Sequence, residues 1–315
     1  MNAPVFFYDF GGGTTPPIAH CQDAMDVAVE AGRWLEGYGL ANASLDCCVG
    51  ALTQVPPENA YRLPGGCDKY TLIRSETSAE QALGFLNPFT PPVVRHLLVE
   101  LSSEWTLCLN NSLPNPTFSH DGPSLAQRSR SRVFRVVDTP SRVWKNGKAK
   151  RVMSWEGRIF TEYAANGREE KTILATNDGG TWKWFLTPGL RYPIEEKFNY
   201  EAQRIKARFT SDDLRALVAS LGAPVPSAEL LMASAKFALL QSPGEPDRMV
   251  TREELDDPAY GYFHSGLNLL PHIKTHADRV IHDLEMAVEI NPQYEPKARE
   301  HIEAAKRVLA GEKAA

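Results

Sequence analysis

The stretch NDGGTWKWFLTPGLRYPIEE, Asn177–Glu196, combines a glycine turn, two tryptophans and a double carboxylate. Asn177-Asp178-Gly179-Gly180 has the composition of a tight hairpin turn, because its central positions need positive φ. Trp182 and Trp184 follow at a spacing of two, which puts both on one face of a strand. Pro188 and Gly189 end that strand. Glu195 and Glu196 are adjacent, so they point to different sides and make poor partners for two-carboxylate chemistry. The stretch therefore predicts a hairpin locked by aromatics rather than a reaction site.

Moving outward, the same alternation recurs. Arg132–Asp138, Ser141–Trp144, Lys150–Trp155, Arg158–Ala164 and Lys171–Thr176 read as strands, and KNGK, Lys145–Lys148, holds the Asn-Gly pair favoured in two-residue hairpin loops. Val94–Leu101 and Trp105–Leu109 read as a strand pair, and Leu45–Leu52 as a short apolar strand. Helical spacing predicts helices over Ile18–Gly37, Ser78–Leu86, Ser124–Arg132, Tyr200–Phe209 and Ser211–Leu221, the last with Thr210 or Ser211 as N-cap and Gly222 as its stop. Ser227–Leu240 reads as helical or as a helix followed by a strand, and Pro271–Glu289 and Pro296–Leu309 as helices. The fold class is thus α+β: an antiparallel sheet flanked by helices, with a helical C-terminal appendage. SPGEPDR is the best linker candidate, which divides the chain into an α+β domain over 1–242 and a helical segment over 243–315.

The 315 residues, 43% hydrophobic, are ample for a packed core. MNAPVFFYDF lacks the basic start of a signal peptide, and no apolar run reaches the roughly 18 residues of a membrane span. Five cysteines, odd in number and without a CxxC, fit reduced thiols and a cytoplasmic setting better than a disulfide framework or zinc ribbon. The net charge of −5 is unevenly spread. Residues 1–127 carry 5 Lys+Arg against 13 Asp+Glu, whereas residues 128–151 carry 9 against the single Asp138.

Each chemical motif also has a plainer structural reading. DFGGGT, Asp9–Thr14, resembles the phosphate-binding turn of the actin and Hsp70 ATPase superfamily over six residues. Pro16 and Pro17 remove two backbone donors just after it, which favours a glycine turn feeding a helix. His272 and His276 are four apart, a zinc-compatible spacing, but Ile273 stands where the zinc-protease pattern needs Glu. A solvated or packed histidine face is expected there, with no metal. Ser119, His120 and Asp121 are contiguous, whereas a triad converges from separate elements. The basic block 128–151, which includes Phe134 and Trp144, is compatible with phosphate contacts, but the acidic remainder would repel a polyanion, so nucleic acid is not the expected partner. Ala287–Gly311 resembles the second half of a tetratricopeptide unit; a single partial repeat cannot bury its own face and reads as a closing helical hairpin or a dimer surface.

One wider resemblance bears on function. WTLCLN with Trp105 and Asn110, NDGGTWKWFL with Trp182 and Phe185, and PIEE followed by YEAQRIKARFTSDDL resemble, over about residues 95–223, an uncharacterised bacterial family found beside polymorphic toxins. The family's pattern has an aromatic residue where this chain has Leu109. The resemblance implies a non-enzymatic, cytoplasmic immunity protein that occludes a cognate toxin and needs no cofactor. The alternatives are an enzyme acting on a nucleotide or phosphorylated ligand, and a nucleic-acid-binding module using 128–151. An acidic surface suits capture of a basic partner by charge complementarity. Asp23, Asp26 and Glu30 on the first predicted helix, with Glu58 and Asp68 of the long loop beside them, are the expected contacts. Arg204 and Arg208, four apart, are expected to reach Glu196 or Glu201 and dock their helix on the hairpin.

Overall fold

A computed structural model describes residues 35–54, 69–73, 79–86, 93–111, 121–146, 149–178, 180–234, 236–243 and 257–310. Along the chain these form β1 (Gly37–Ala41), α1 (Leu45–Thr53), β2 (Thr71–Ile73), α2 (Ala79–Gly84), β3 (Arg95–Ser102), β4 (Trp105–Asn110) and α3 (Asp121–Ser129). β5 (Val133–Thr139), β6 (Arg142–Asn146), β7 (Ala149–Ser154), β8 (Gly157–Tyr163), β9 (Glu169–Asp178) and β10 (Thr181–Leu186) follow. The chain continues with α4 (Ser211–Ser220), α5 (Ala228–Ala233), β11 (Phe237–Gln241), α6 (Pro258–Leu269), α7 (Ile273–Ile290) and α8 (Glu295–Leu309). Nine strands make one antiparallel sheet in the order β10-β9-β8-β5-β1-β4-β3-β11-β2, and β6 and β7 pair only with each other. The class is α+β.

Period-two alternation sorts the strand residues into two cores. Leu40, Leu97, Val99, Leu107, Phe134, Val136, Phe160 and Ile173 face one side, where Leu83 of α2, Leu214 and Leu217 of α4 and Leu231 of α5 close over them. Leu98, Cys108, Val133 and Leu240 face the other, under Leu45, Cys48 and Leu52 of α1 and Leu125 and Ala126 of α3. The C-terminal helices α6, α7 and α8 enclose a third core around Phe263, Val280, Leu284 and Ala298, while Tyr260 of α6 reaches the first. None of the helices among the described residues is long and apolar enough to cross a membrane.

The β9–β10 hairpin forms where the turn chemistry places it. β9 and β10 pair from Asp178↔Thr181 to Ile173↔Leu186, and Gly180 takes φ +94, which a side chain would resist. Trp182, Trp184 and Leu186 pack on the first core and Phe185 points away, 50% exposed. At KNGK the described ladder runs through Lys145↔Lys150 to Asn146↔Ala149, so Asn146, expected in the loop, belongs to β6. α4 opens with a capping box in which Thr210 Oγ1 accepts from the Asp213 amide and Asp213 accepts from Thr210 N, and it ends before Gly222 at φ +79.

Three segments differ from their sequence-based expectation. Leu45–Leu52 is helical, not extended: Ser44 caps it through the Cys47 amide, and Leu45, Cys48 and Leu52 recur on one buried helical stripe. Gly37, expected to end a helix, opens β1, which takes a central place between β5 and β4. Tyr200–Phe209 is irregular, with a 3₁₀ turn at Ile205–Ala207. Tyr200 meets Trp184 at a tilt (5.4 Å), and Phe198 contacts both Tyr200 (5.9 Å) and Phe209 (6.1 Å). This aromatic cluster and the bond from Arg208 Nε to Ala202 O (2.9 Å) fold the segment back on itself and replace regular helix.

Candidate functional site

Beneath the β8–β9–β10 end of the sheet lies a buried ionic network. Lys171 is in phase with Ile173 and Ala175, and Glu162 with Phe160, so the pattern that buries those apolar side chains also buries the charged pair, which lie opposite each other in register. Lys171 Nζ stands 2.9 Å from Glu195 Oε1 and also donates to Leu190 O. The Glu195 carboxylate accepts from Tyr192 N (2.8 Å) and Tyr200 OH (3.0 Å) as well. Tyr192 OH donates to Glu162 and accepts from Arg132 Nη2 at 2.8 Å, while Arg132 Nε donates to Glu162 at 2.6 Å. Burial first, and the adjacent carboxylate second, push the Tyr192 and Tyr200 phenols up, so both act as donors.

This network ties the chain after β10 to the sheet through Leu190, Tyr192, Glu195 and Tyr200. Phe185 (50%), on the sheet face away from the network, Leu190 (47%), after β10, and Trp155 (40%) are large apolar side chains open to solvent. Trp155 lies at the β9–β10 turn, its ring 4.0 Å from where a Cβ on Gly180 would stand. Exposed aromatics on a rigid edge are suited to partner contact. Glu195, half of the double carboxylate, thus belongs to the support of this surface, while Glu196 is exposed.

A cleft of about 420 Å³ lies at the start of α4 and is lined by Glu36, Asp138, Glu156, Arg158 and Ser211. Ser211 Oγ donates to Asp138 at 2.7 Å and accepts from Arg158 Nε at 3.3 Å. Arg158 also pairs with Glu156, and Arg142 with Glu36. These partners neutralise one another across the cleft, which braces α4 against β5 and β8.

On the opposite face, His96 and Asp121 are both buried, with His96 Nε2 3.7 Å from Asp121 Oδ1. Asn110 Nδ2 donates to Asp121 at 2.6 Å, and the Tyr70 ring meets His96 edge-on at 4.6 Å. Asp121 opens α3, where the helix dipole favours a carboxylate. Burial lowers the His96 pKa, with Asp121 offsetting part of that effect. An imidazole depressed in the folded state contributes stability above its unfolded value of 6.5, and this contribution is lost as pH falls toward the folded value. The unfolding free energy from urea titration should therefore hold at neutral pH and decline below 6.5, by up to about 1.4 kcal/mol per pH unit for one proton. His96→Gln should flatten that decline; parallel profiles for the two proteins would assign it to other groups.

The residues singled out from sequence are distributed differently. Asp23, Asp26, Glu30, Glu58 and Asp68, DFGGGT, Ser119 and His120 lie outside the described residues. The basic block does not form one face. Arg132 pairs with Glu162, Arg135 is largely withdrawn from solvent and its pKa lowered by that burial, Arg142 pairs with Glu36, and Arg130 sits at φ +52 after α3. His272 precedes α7 and His276 occupies a kink with φ −133, so the two do not share the regular helix face their spacing suggests. Among the described residues, none of the His, Cys, Asp and Glu groupings could hold a metal ion. Arg208 does not pair with Glu196 or Glu201; its guanidinium stands 5.7 Å from the Trp184 ring. Cys47 is exposed, while Cys48 and Cys108 are buried free thiols; burial pushes Cys48 up to about 12 and Cys108 well above its usual value, against a nucleophilic role.

No family model, curated protein or solved structure matches this chain. The Lys171–Glu195 pair escapes a reading of the sequence in which charged residues face solvent. The signal is present as parity: Lys171-x-Ile173-x-Ala175 puts the lysine on the same face as two core residues.

Proposed function

We propose that the protein works by binding another protein, a bacterial toxin that it neutralises by occlusion in the cytoplasm, without chemistry of its own. The observation that carries this reading is the edge strand β10 and the chain after it, where Phe185 and Leu190 are solvent-exposed and Leu190 O is held by the buried Lys171. A side chain held by a rigid scaffold loses little entropy on binding, and exposed aromatic anchors contribute strongly when desolvated. The resemblance over residues 95–223 supports a toxin as the partner, and the acidic balance of residues 1–127 favours a basic one. Asp23, Asp26, Glu30, Glu58 and Asp68 remain the proposed electrostatic contacts.

The test is co-purification of the full chain with the product of the adjacent upstream gene, followed by growth rescue when both are expressed. Phe185→Glu combined with Leu190→Glu should weaken the complex at least about tenfold, since it sets two charges in an apolar contact, and leave the melting temperature unchanged. A neighbour that is not a toxin, or a toxin that does not bind, would refute the reading. Retained binding by the double variant would move the interface away from β10.

A further inference from the structure

We propose that the open edge of β10 takes up an extended acidic segment of the bound partner, which joins the nine-stranded sheet as one more strand. This rests on the reading of β10 as the partner-binding edge and names the mode of contact. β10 ends the sheet and has β9 as its single neighbour there. Thr187 N donates to Thr172 O at 2.9 Å, in line with the β9–β10 register, so these two residues form a bonded pair. Bonded and non-bonded pairs alternate in an antiparallel ladder. Phe185 and Lys183 therefore bond to β9, while Trp182, Trp184 and Leu186 turn N–H and C=O toward the open edge. The bond from Asn177 N to Glu156 O sets the same phase independently, because alternate β9 residues serve β8. Among the described residues no hydrogen bond reaches the main-chain groups of Trp182, Trp184 or Leu186. Their donors stand in a row about 6.8 Å apart, the spacing that an added strand matches.

Exposed edges are usually guarded by proline, a bulge or charge. β10 has no proline, pairs with β9 without a bulge, and carries Lys183 as its single charged residue. Lys183 and Phe185 are exposed on one face, and Trp182, Trp184 and Leu186 pack on the first core from the other. On the core side the 3₁₀ turn Ile205–Ala207 lies beside β10, with Ile205 on the core and Arg204 and Lys206 exposed. Arg204 and Lys206 form no ion pair among the described residues. Arg208 adds a third cation, 5.7 Å from the Trp184 ring.

Cations thus flank the edge on both sides. A second copy paired edge to edge would set them against their own counterparts, which is how an edge lysine discourages self-pairing. An acidic strand meets the same groups with opposite charge. Its residues opposite Lys183 and Phe185 share the outer face, where a carboxylate and an apolar side chain two positions apart fit. The residue between them faces the side of Arg204 and Lys206. Main-chain bonds supply the affinity of such a contact, and the alternating side chains its specificity. The charge requirement concerns the added strand alone, not the overall charge of the partner.

Amide hydrogen exchange of the full chain, resolved by residue, tests this with a capped peptide of alternating Val and Glu about as long as β10. At saturation the amides of Trp182, Trp184 and Leu186 should slow at least about tenfold, while those of Lys183 and Phe185 stay as they are. Lys183→Glu with Lys206→Glu should weaken the peptide at least about tenfold and leave the melting temperature unchanged, since both side chains are exposed. A Val-Lys peptide should bind that variant and not the wild type. N-methylation of every peptide residue should abolish binding. Lack of slowing at about 1 mM peptide, equal slowing by the Val-Lys peptide, or retained binding after N-methylation would overturn the proposal. Slowing that follows protein concentration without peptide would also overturn it, by assigning the edge to a second copy. The peptide assay needs no toxin: edge protection without co-purification refutes the toxin reading alone, and a bound toxin that leaves these three amides exchanging freely refutes this mode alone.

Discussion

Replacing Lys171 by Met should cost about 3–5 kcal/mol, more than any surface substitution, because it leaves the buried Glu195 carboxylate without its cation. The side chains of Lys171 and Glu195 are 1% and 0% exposed, so water cannot take the place of the ammonium. Glu195→Leu should be similarly costly, leaving the ammonium with Leu190 O as its remaining described acceptor. The double variant, Lys171→Met with Glu195→Leu, should recover most of the loss. Neither charge is then stranded, and apolar replacement of a buried pair is often close to neutral. Urea denaturation of the four proteins gives the coupling energy directly, and additive single-site losses would show that the two groups do not act as a pair. The cycle also bears on function: without the Lys171 bond to Leu190 O, the segment that presents Leu190 is freed, so partner affinity should drop in Lys171→Met even under conditions where the chain remains folded.

How much of the fold is legible in the sequence depends on whether local or distant partners decide each element. The β9–β10 hairpin, with its glycine turn and period-two tryptophans, and the Thr210–Asp213 capping box of α4 are specified within a few residues, and both form as the sequence indicates. Leu45–Thr53 misleads because a short apolar run fits either period; the arbiter is Ser44, whose cap decides for helix. Tyr200–Phe209 misleads for a tertiary reason, since contacts to Trp184 and Glu195 outweigh the helical propensity of the segment. α6 falls within the helical segment expected over 243–315 but has no bounds of its own there; it begins with Asp257 as cap and Pro258 in its first turn, a pattern recognisable in the sequence. The candidate site is the least legible part. Its support pairs Glu162 on β8, Lys171 on β9 and Glu195 in a 3₁₀ turn, three positions that only strand register brings together.

β8 and β9 bury Glu162 and Lys171 toward the first core, which fixes Leu190 and Tyr192 alongside β10.

Phe134→Ala should remove about 3–5 kcal/mol, the usual range for deleting a buried aromatic ring. Phe134 is fully buried on β5, with its ring centroid 5.8 Å from both Trp105 and Phe160; Phe160 in turn meets Tyr192 edge-on at 6.2 Å. The Arg132 guanidinium, whose partners are Glu162 and Tyr192, covers the Phe134 ring at 5.0 Å. Truncation therefore opens a cavity in a row of rings that runs from β4 across β5 and β8 to the network, and removes one wall of the Arg132 site. Phe185→Ala, at a ring half exposed on β10, should change stability by no more than about 0.5 kcal/mol. The contrast separates two roles of aromatic residues in one sheet: loss at position 134 should appear in the urea midpoint, and loss at position 185 in partner affinity alone. A stability cost at Phe185 comparable to that at Phe134 would mean that the exposed ring serves the fold, and the proposed binding surface would lose its principal anchor.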